Sequence, residues 1–193
     1  MLEKLALVAF FVAAFTGTGT MVFGRFPPRL GYLAGALVCA GLLGFGLYLQ
    51  YVQLLNPCPL CIFQRIAFLA LMVIFLIAAL HGPGRIAAYI YGTLLVFAAG
   101  IGAAIATRHV WLQHLPAAER IPECGPGLDY MLRKYSAGTV LEKVLRGSGE
   151  CADPGWIFLG LSIAGWALVW FVLLGALAVY LALIVRRRDK RSA

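Results

Sequence analysis

The sequence predicts an all-α integral membrane protein: a bundle of four transmembrane helices with a long extracytoplasmic loop between helices 3 and 4. Three observations lead there. Of 193 residues, 62% are hydrophobic and only 12% charged, and mean hydropathy is +0.90, which is more apolar surface than a soluble domain of this size carries. Four apolar runs are each about as long as the ~20 residues a helix needs to cross a bilayer, or longer. The basic residues of the short connections fall on one side if those helices alternate.

Taken in order, residues 1–29 form an N-terminal extension. Its apolar stretch, Leu5–Phe23, is broken by Thr16-Gly17-Thr18-Gly19-Thr20 and stops at the basic, proline-containing turn Arg25–Arg29. It reads equally as an extra helix, a loosely ordered extension, or a stretch upstream of a start at Met21. Residues 30–185 carry the four-helix domain. Leu30–Tyr51 is a first span rich in Gly and Ala, which allow helices to approach closely. Ile62–Leu80 is a second, closed by the turn His81-Gly82-Pro83-Gly84-Arg85, and Ile86–Thr107 a third. Trp156–Val185 is longer than one span requires, so its first turns, through Trp166, are expected along the membrane interface.

Orientation follows from charge. Arg25 and Arg29, then Arg85, then the cluster Arg186, Arg187, Arg188, Lys190 and Arg191 share one side, whereas Val52–Cys61 contains no Lys or Arg. The positive-inside rule therefore puts the C-terminal tail, residues 186–193, in the cytoplasm. It puts Val52–Cys61 and the loop 108–155 outside. The net charge of +8 does not point to nucleic acid, because five of the sixteen basic residues sit in that tail, where anionic membrane lipid explains them.

Pro57-Cys58-Pro59-Leu60-Cys61 stands where the second span begins. Cys58 suits an N-cap, Pro59 the first helical position, and Cys61 the first turn, three residues on and within disulfide reach. A thiolate there is favoured by the unpaired N–H groups of the helix start. Arg65, four residues beyond Cys61, projects from the same face. An interfacial arginine that snorkels to the headgroups is the plainer reading of Arg65. Of the five cysteines, Cys39 reads as a small buried hydrophobe within the first span. Cys58, Cys61, Cys124 and Cys151 all lie on the outer side. Four cysteines allow three pairings; Cys58–Cys61 is favoured locally, leaving Cys124–Cys151. The glycines beside both loop cysteines leave a structural staple and exchange evenly open, and the adjacent C-x-x-C tips the balance to exchange, since two disulfides on one face can pass electrons through a mixed disulfide. A zinc site built on the four cysteines would lack the usual second C-x-x-C and would stand in an oxidising location, so no metal is expected.

These motifs, with Arg108-His109-Val110-Trp111-Leu112-Gln113, Cys124-Gly125-Pro126-Gly127-Leu128-Asp129-Tyr130-Met131 and Gly147-Ser148-Gly149-Glu150-Cys151, resemble the bacterial disulfide bond formation protein B (DsbB) family over roughly residues 30–185. Ala164 departs from the family pattern, which has a proline before the last helix. The resemblance implies a multi-pass protein of the bacterial inner membrane with its redox cysteines in the periplasm. It implies a protein dithiol:quinone oxidoreductase that reoxidises a DsbA-like thioredoxin-fold partner and reduces ubiquinone or menaquinone. Carried over, Cys124 forms the mixed disulfide, Cys151 is its companion and attacks Cys58, and Cys61 faces the quinone. Arg65 then stabilises the developing negative charge, and His109 is a candidate hydrogen-bond or proton donor to the quinone. Gln113 and His114 have weaker claims. The alternatives are a vitamin-K-epoxide-reductase-like quinone enzyme, which would carry its C-x-x-C late in the chain, and a non-catalytic scaffold with a structural disulfide or zinc site.

Overall fold

The computed structural model describes residues 28–54, 57–115, 133–136, 138–139, 151 and 157–192, with side chains as far as Arg187. Its frame is four helices: α1 (Pro28–Tyr51), α2 (Pro59–His81), α3 (Arg85–Gln113) and α4 (Ile163–Ser192). Each is long and apolar enough to cross a membrane. α1 packs against α2, and Gly82–Gly84 turns α2 back onto α3. α4 packs mainly on α3 and also touches α1, which closes the bundle.

Side-chain size decides how the helices meet. A Cβ at Gly102 of α3 would run into the Phe171 ring of α4, so glycine is what lets those two backbones approach. Phe171 in turn stacks on Phe68 of α2, ring centroids 4.0 Å apart, in a core shared with Tyr32, Leu71, Phe75, Leu95 and Leu174. Such a ring pair contributes about 0.5–1.5 kcal/mol beyond area burial. The outer surface is apolar as well: Leu37 is 63% exposed and Phe97 68%. Large apolar residues facing outward around the whole bundle suit lipid rather than water.

The helix ends follow local chemistry. Cys58 caps α2 as its sequence suggests, with extended backbone (φ −66°, ψ 161°), its Sγ accepting from the Cys61 N–H at 3.4 Å, and Pro59 in the first turn. At the other end Gly82 adopts φ 59° and its N–H donates to the Ala78 carbonyl at 3.0 Å, closing the helix in the left-handed conformation glycine favours.

α1 begins at Pro28, inside the stretch read as a turn, and the boundaries on either side of the long loop also differ from the sequence reading. α3 continues six residues past Thr107, so Arg108–Gln113, assigned above to the loop 108–155, are helical. The drop in hydropathy at Arg108 and His109 does not interrupt the backbone: Arg108 lies 4.2 Å over the Trp111 ring one turn on, and His109 and Leu112 are buried. The fourth helix begins at Ile163, not near Trp156, and the segment before it is a hairpin rather than an interfacial helix. Its strands are β1 (Ile157–Phe158) and β2 (Leu161–Ser162), joined by Leu159 (φ 51°) and Gly160 (φ 79°). Two consecutive positive φ angles make the tight turn that reverses a strand. Ser162 Oγ accepts from the Gly165 N–H at 3.2 Å, capping α4, and the indole N–H of Trp166 donates to the Phe158 carbonyl at 3.0 Å. Ala164 is fully buried in the first turn, which is started by a serine cap with no proline.

At its far end α4 runs on through the basic cluster to Ser192, so most of the segment set apart as a tail is helical. Residues 1–27, Cys124 and its surroundings lie outside the described residues.

Candidate functional site

The start of α2 and the end of α3 lie side by side, and every described cysteine except Cys39 is there. Cys39 sits fully buried in the bundle core as a small apolar residue. Cys58, Leu60, Leu112 and Cys151 form a separate buried cluster, flanked by Cys61, Phe63 and Ile105. The Cys58 thiol donates to Cys61 Sγ at 3.2 Å. A disulfide needs about 2.0 Å, so small side-chain adjustments suffice to close the bond. Cys151, 1% exposed, reaches this pair from the long loop: its thiol is within hydrogen-bonding range of Cys58. Three sulfurs are thus in sequence, with Cys58 between Cys61 and Cys151.

Electrostatics divides the two members of the C-x-x-C. The Cys151 thiol acts to lower the Cys58 pKa, but donation to Cys61 and burial outweigh it, and Cys58 is pushed up to about 12. Cys58 therefore holds its proton, and the sulfur that accepts from it is Cys61. Cys61 is half-buried, at the rim of the cluster.

Arg65 is where its register with Cys61 put it, one turn further along α2, but it does not hang free at the interface. Its guanidinium donates to the Gly46 carbonyl at 2.9 Å and to Gln50 Oε1, both on α1. Two fixed partners leave further N–H groups of the five available to an incoming acceptor. Gln50 and Gly46 were not singled out in the sequence, because only the packing of α1 against α2 brings them to Arg65.

His109 is 3% exposed and enters the cluster from α3. Its Nε2 lies 3.6 Å from Cys58 Sγ, and its Nδ1 lies 3.3 Å from Gln64 Nε2. The Cys151 backbone is within hydrogen-bonding range of the same ring. An amide nitrogen donates, so Nδ1 accepts and the proton of the neutral ring sits on Nε2, aimed at Cys58. Gln64, 4% exposed, was read only as part of the motif. Its signal was its phase: Leu60, Gln64, Ala67, Leu71 and Phe75 mark the buried stripe of α2. A glutamine on that stripe must find a partner. Gln113 accepts from the Ser162 hydroxyl at 2.6 Å and His114 Nδ1 meets the Val110 carbonyl at 2.8 Å, so both hold the end of α3 in place.

Comparison with known proteins gives the family. The family model described as "Disulfide bond formation protein DsbB" matches residues 28–181. The chain belongs to the DsbB family. A protein of Hahella chejuensis named Disulfide bond formation protein B is 51% identical over 156 residues, covering 81% of this chain and 93% of its own. Its namesakes from Xanthomonas axonopodis pv. citri and Marinobacter nauticus are each 48% identical, over 164 and 156 residues. They cover 84% and 81% of this chain and 95% and 91% of theirs. The chain is thus a multi-pass membrane oxidoreductase of disulfide bond formation, and the vitamin-K-epoxide-reductase-like and scaffold alternatives fall away.

Proposed function

We propose that the protein is a protein dithiol:quinone oxidoreductase of the bacterial inner membrane, with its cysteines in the periplasm and its C-terminus in the cytoplasm. It reoxidises a DsbA-like thioredoxin-fold protein. A thiolate of the reduced partner attacks the Cys124–Cys151 disulfide at Cys124, and the partner's second thiolate displaces Cys124. The partner leaves oxidised, and Cys124 and Cys151 are left as thiols. Cys151 as thiolate then attacks Cys58 of the Cys58–Cys61 disulfide and expels Cys61 as a thiolate. Attack by Cys124 on Cys151 restores the loop disulfide and leaves Cys58 and Cys61 reduced. The contact between Cys151 and Cys58 carries this order, because it is the sulfur pair that the relay must bring together.

The donor set suits a membrane quinone. Cys61 is half-buried at the head of a lipid-facing helix, and Arg65 offers, beyond its bonds to Gly46 and Gln50, N–H groups of the kind quinone carbonyl oxygens accept. A bound quinone supplies the two-electron sink that returns Cys58 and Cys61 to the disulfide. Arg65 places positive charge where negative charge develops, held by Gly46 and Gln50 so that little reorganisation is needed. His109 keeps a proton beside Cys58. Ubiquinone and menaquinone both satisfy these donors.

The test is reconstitution with quinone and a reduced thioredoxin-fold dithiol protein, followed by quinone absorbance. Turnover lost in each of Cys58→Ser, Cys61→Ser, Cys124→Ser and Cys151→Ser supports the reading. Wild-type turnover retained in any one of them overturns it.

A further inference from the structure

In the reduced protein the same cluster also has the make-up of a metal site. Cys58 Sγ, Cys61 Sγ and a ring nitrogen of His109 all lie within 4.8 Å of one another, and Cys58 and His109 are buried. In a tetrahedral zinc site, with Zn–S about 2.3 Å and Zn–N about 2.0 Å, neighbouring sulfurs are roughly 3.8 Å apart and sulfur and nitrogen roughly 3.6 Å. Here the sulfur–sulfur separation is 3.2 Å and Cys58 Sγ to His109 Nε2 is 3.6 Å. Opening the sulfur pair by about half an ångström meets the requirement.

We propose that the reduced protein binds one zinc-class divalent ion through Cys58 Sγ, Cys61 Sγ and His109 Nε2, and that the ion blocks both sulfurs until it is removed. The ion displaces the two thiol protons to solvent and no electron moves. Two thiolates neutralise a divalent charge, so the complex adds no net charge to a buried, low-dielectric place. Cys151, in contact with Cys58, is next in line for the fourth position. Gln64 completes the surroundings. Metal on Nε2 moves the ring proton to Nδ1, and rotation of the Gln64 amide by half a turn presents Oε1 to accept it, the usual support of a metal-bound histidine. In the oxidised protein the two sulfurs are joined and the site does not exist. Binding is therefore gated by redox state, and it stands independently of which partner or quinone the enzyme uses.

Cobalt(II) is the probe, titrated anaerobically into the full-length reduced protein carrying Cys39→Ala and Cys124→Ser to remove bystander thiols. The expected result is one cobalt per chain, with a sulfur-to-metal charge-transfer band and tetrahedral ligand-field bands that zinc abolishes. The same signal should be missing after the Cys58–Cys61 disulfide is formed. His109→Ala should weaken binding at least about tenfold. Cys61→Ser should reduce the charge-transfer intensity to that of fewer thiolates, with circular dichroism confirming that each variant is folded. Absence of the charge-transfer band at cobalt excess, an equal signal in the oxidised protein, or affinity unmoved in folded His109→Ala overturns the proposal. None of these readouts requires turnover, so the metal site can fail while the quinone reading stands, and the reverse.

Discussion

Gln64 of α2 and His109 of α3, both buried, meet each other, Nε2 to Nδ1 at 3.3 Å. The pairing satisfies both in an apolar setting, where an unmade hydrogen bond costs about 1–3 kcal/mol. It also fixes which imidazole nitrogen carries the proton.

That tautomer is testable. Gln64→Leu should lower turnover about tenfold and remove the single tautomer, read from the ¹⁵N shifts of His109. Gln64→Glu should restore one tautomer of the opposite kind, with the proton on Nδ1. An unchanged ¹⁵N pattern in Gln64→Leu would show that the glutamine does not position the ring.

The unequal environment of the C-x-x-C predicts unequal alkylation. With its pKa near 12, Cys58 is a thiolate in only about one molecule in ten thousand at pH 8, and it is 6% exposed. In reduced protein treated with iodoacetamide at pH 8 and mapped by mass spectrometry, Cys61 should be modified well before Cys58. Modification of Cys58 should rise as pH approaches 12. Cys58 modified first at pH 8 would contradict the assignment.

Arg65 is held from α1, so its neighbours should matter too. Arg65→His should raise the quinone KM at least about tenfold while leaving the KM for the dithiol partner nearly unchanged, and Gln50→Ala should raise the quinone KM by a smaller factor. Initial rates with each substrate varied in turn distinguish this from a general loss of fold, which would move both.

Tyr32 is fully buried in the core, and its hydroxyl has no hydrogen-bond partner among the described residues. Tyr32→Phe should therefore stabilise the bundle by about 1 kcal/mol, measured as a shift in the denaturing-detergent midpoint. Destabilisation would mean that the hydroxyl has a partner in the folded membrane protein.

Composition and run length by themselves determined a membrane protein with the four spans found among the described residues, because the cost of leaving backbone polar groups unpaired in lipid admits few other solutions for such runs. Local chemistry was equally legible: Cys-Pro at the start of α2 specifies a capped helix with the second cysteine in its first turn, whatever the rest of the chain does. The end of α3 and the start of α4 were not, since hydropathy falls at Arg108 although the helix continues, and stays high through Ile157–Ser162 although the chain folds into a hairpin. Only tertiary packing decided that Gln64 meets His109, that Gly46 and Gln50 hold Arg65, and that Cys151 is buried against Cys58. Those contacts join residues as many as 93 positions apart. Periodicity along one helix reports which face is buried, and it carries no information about which side chain of another helix arrives there.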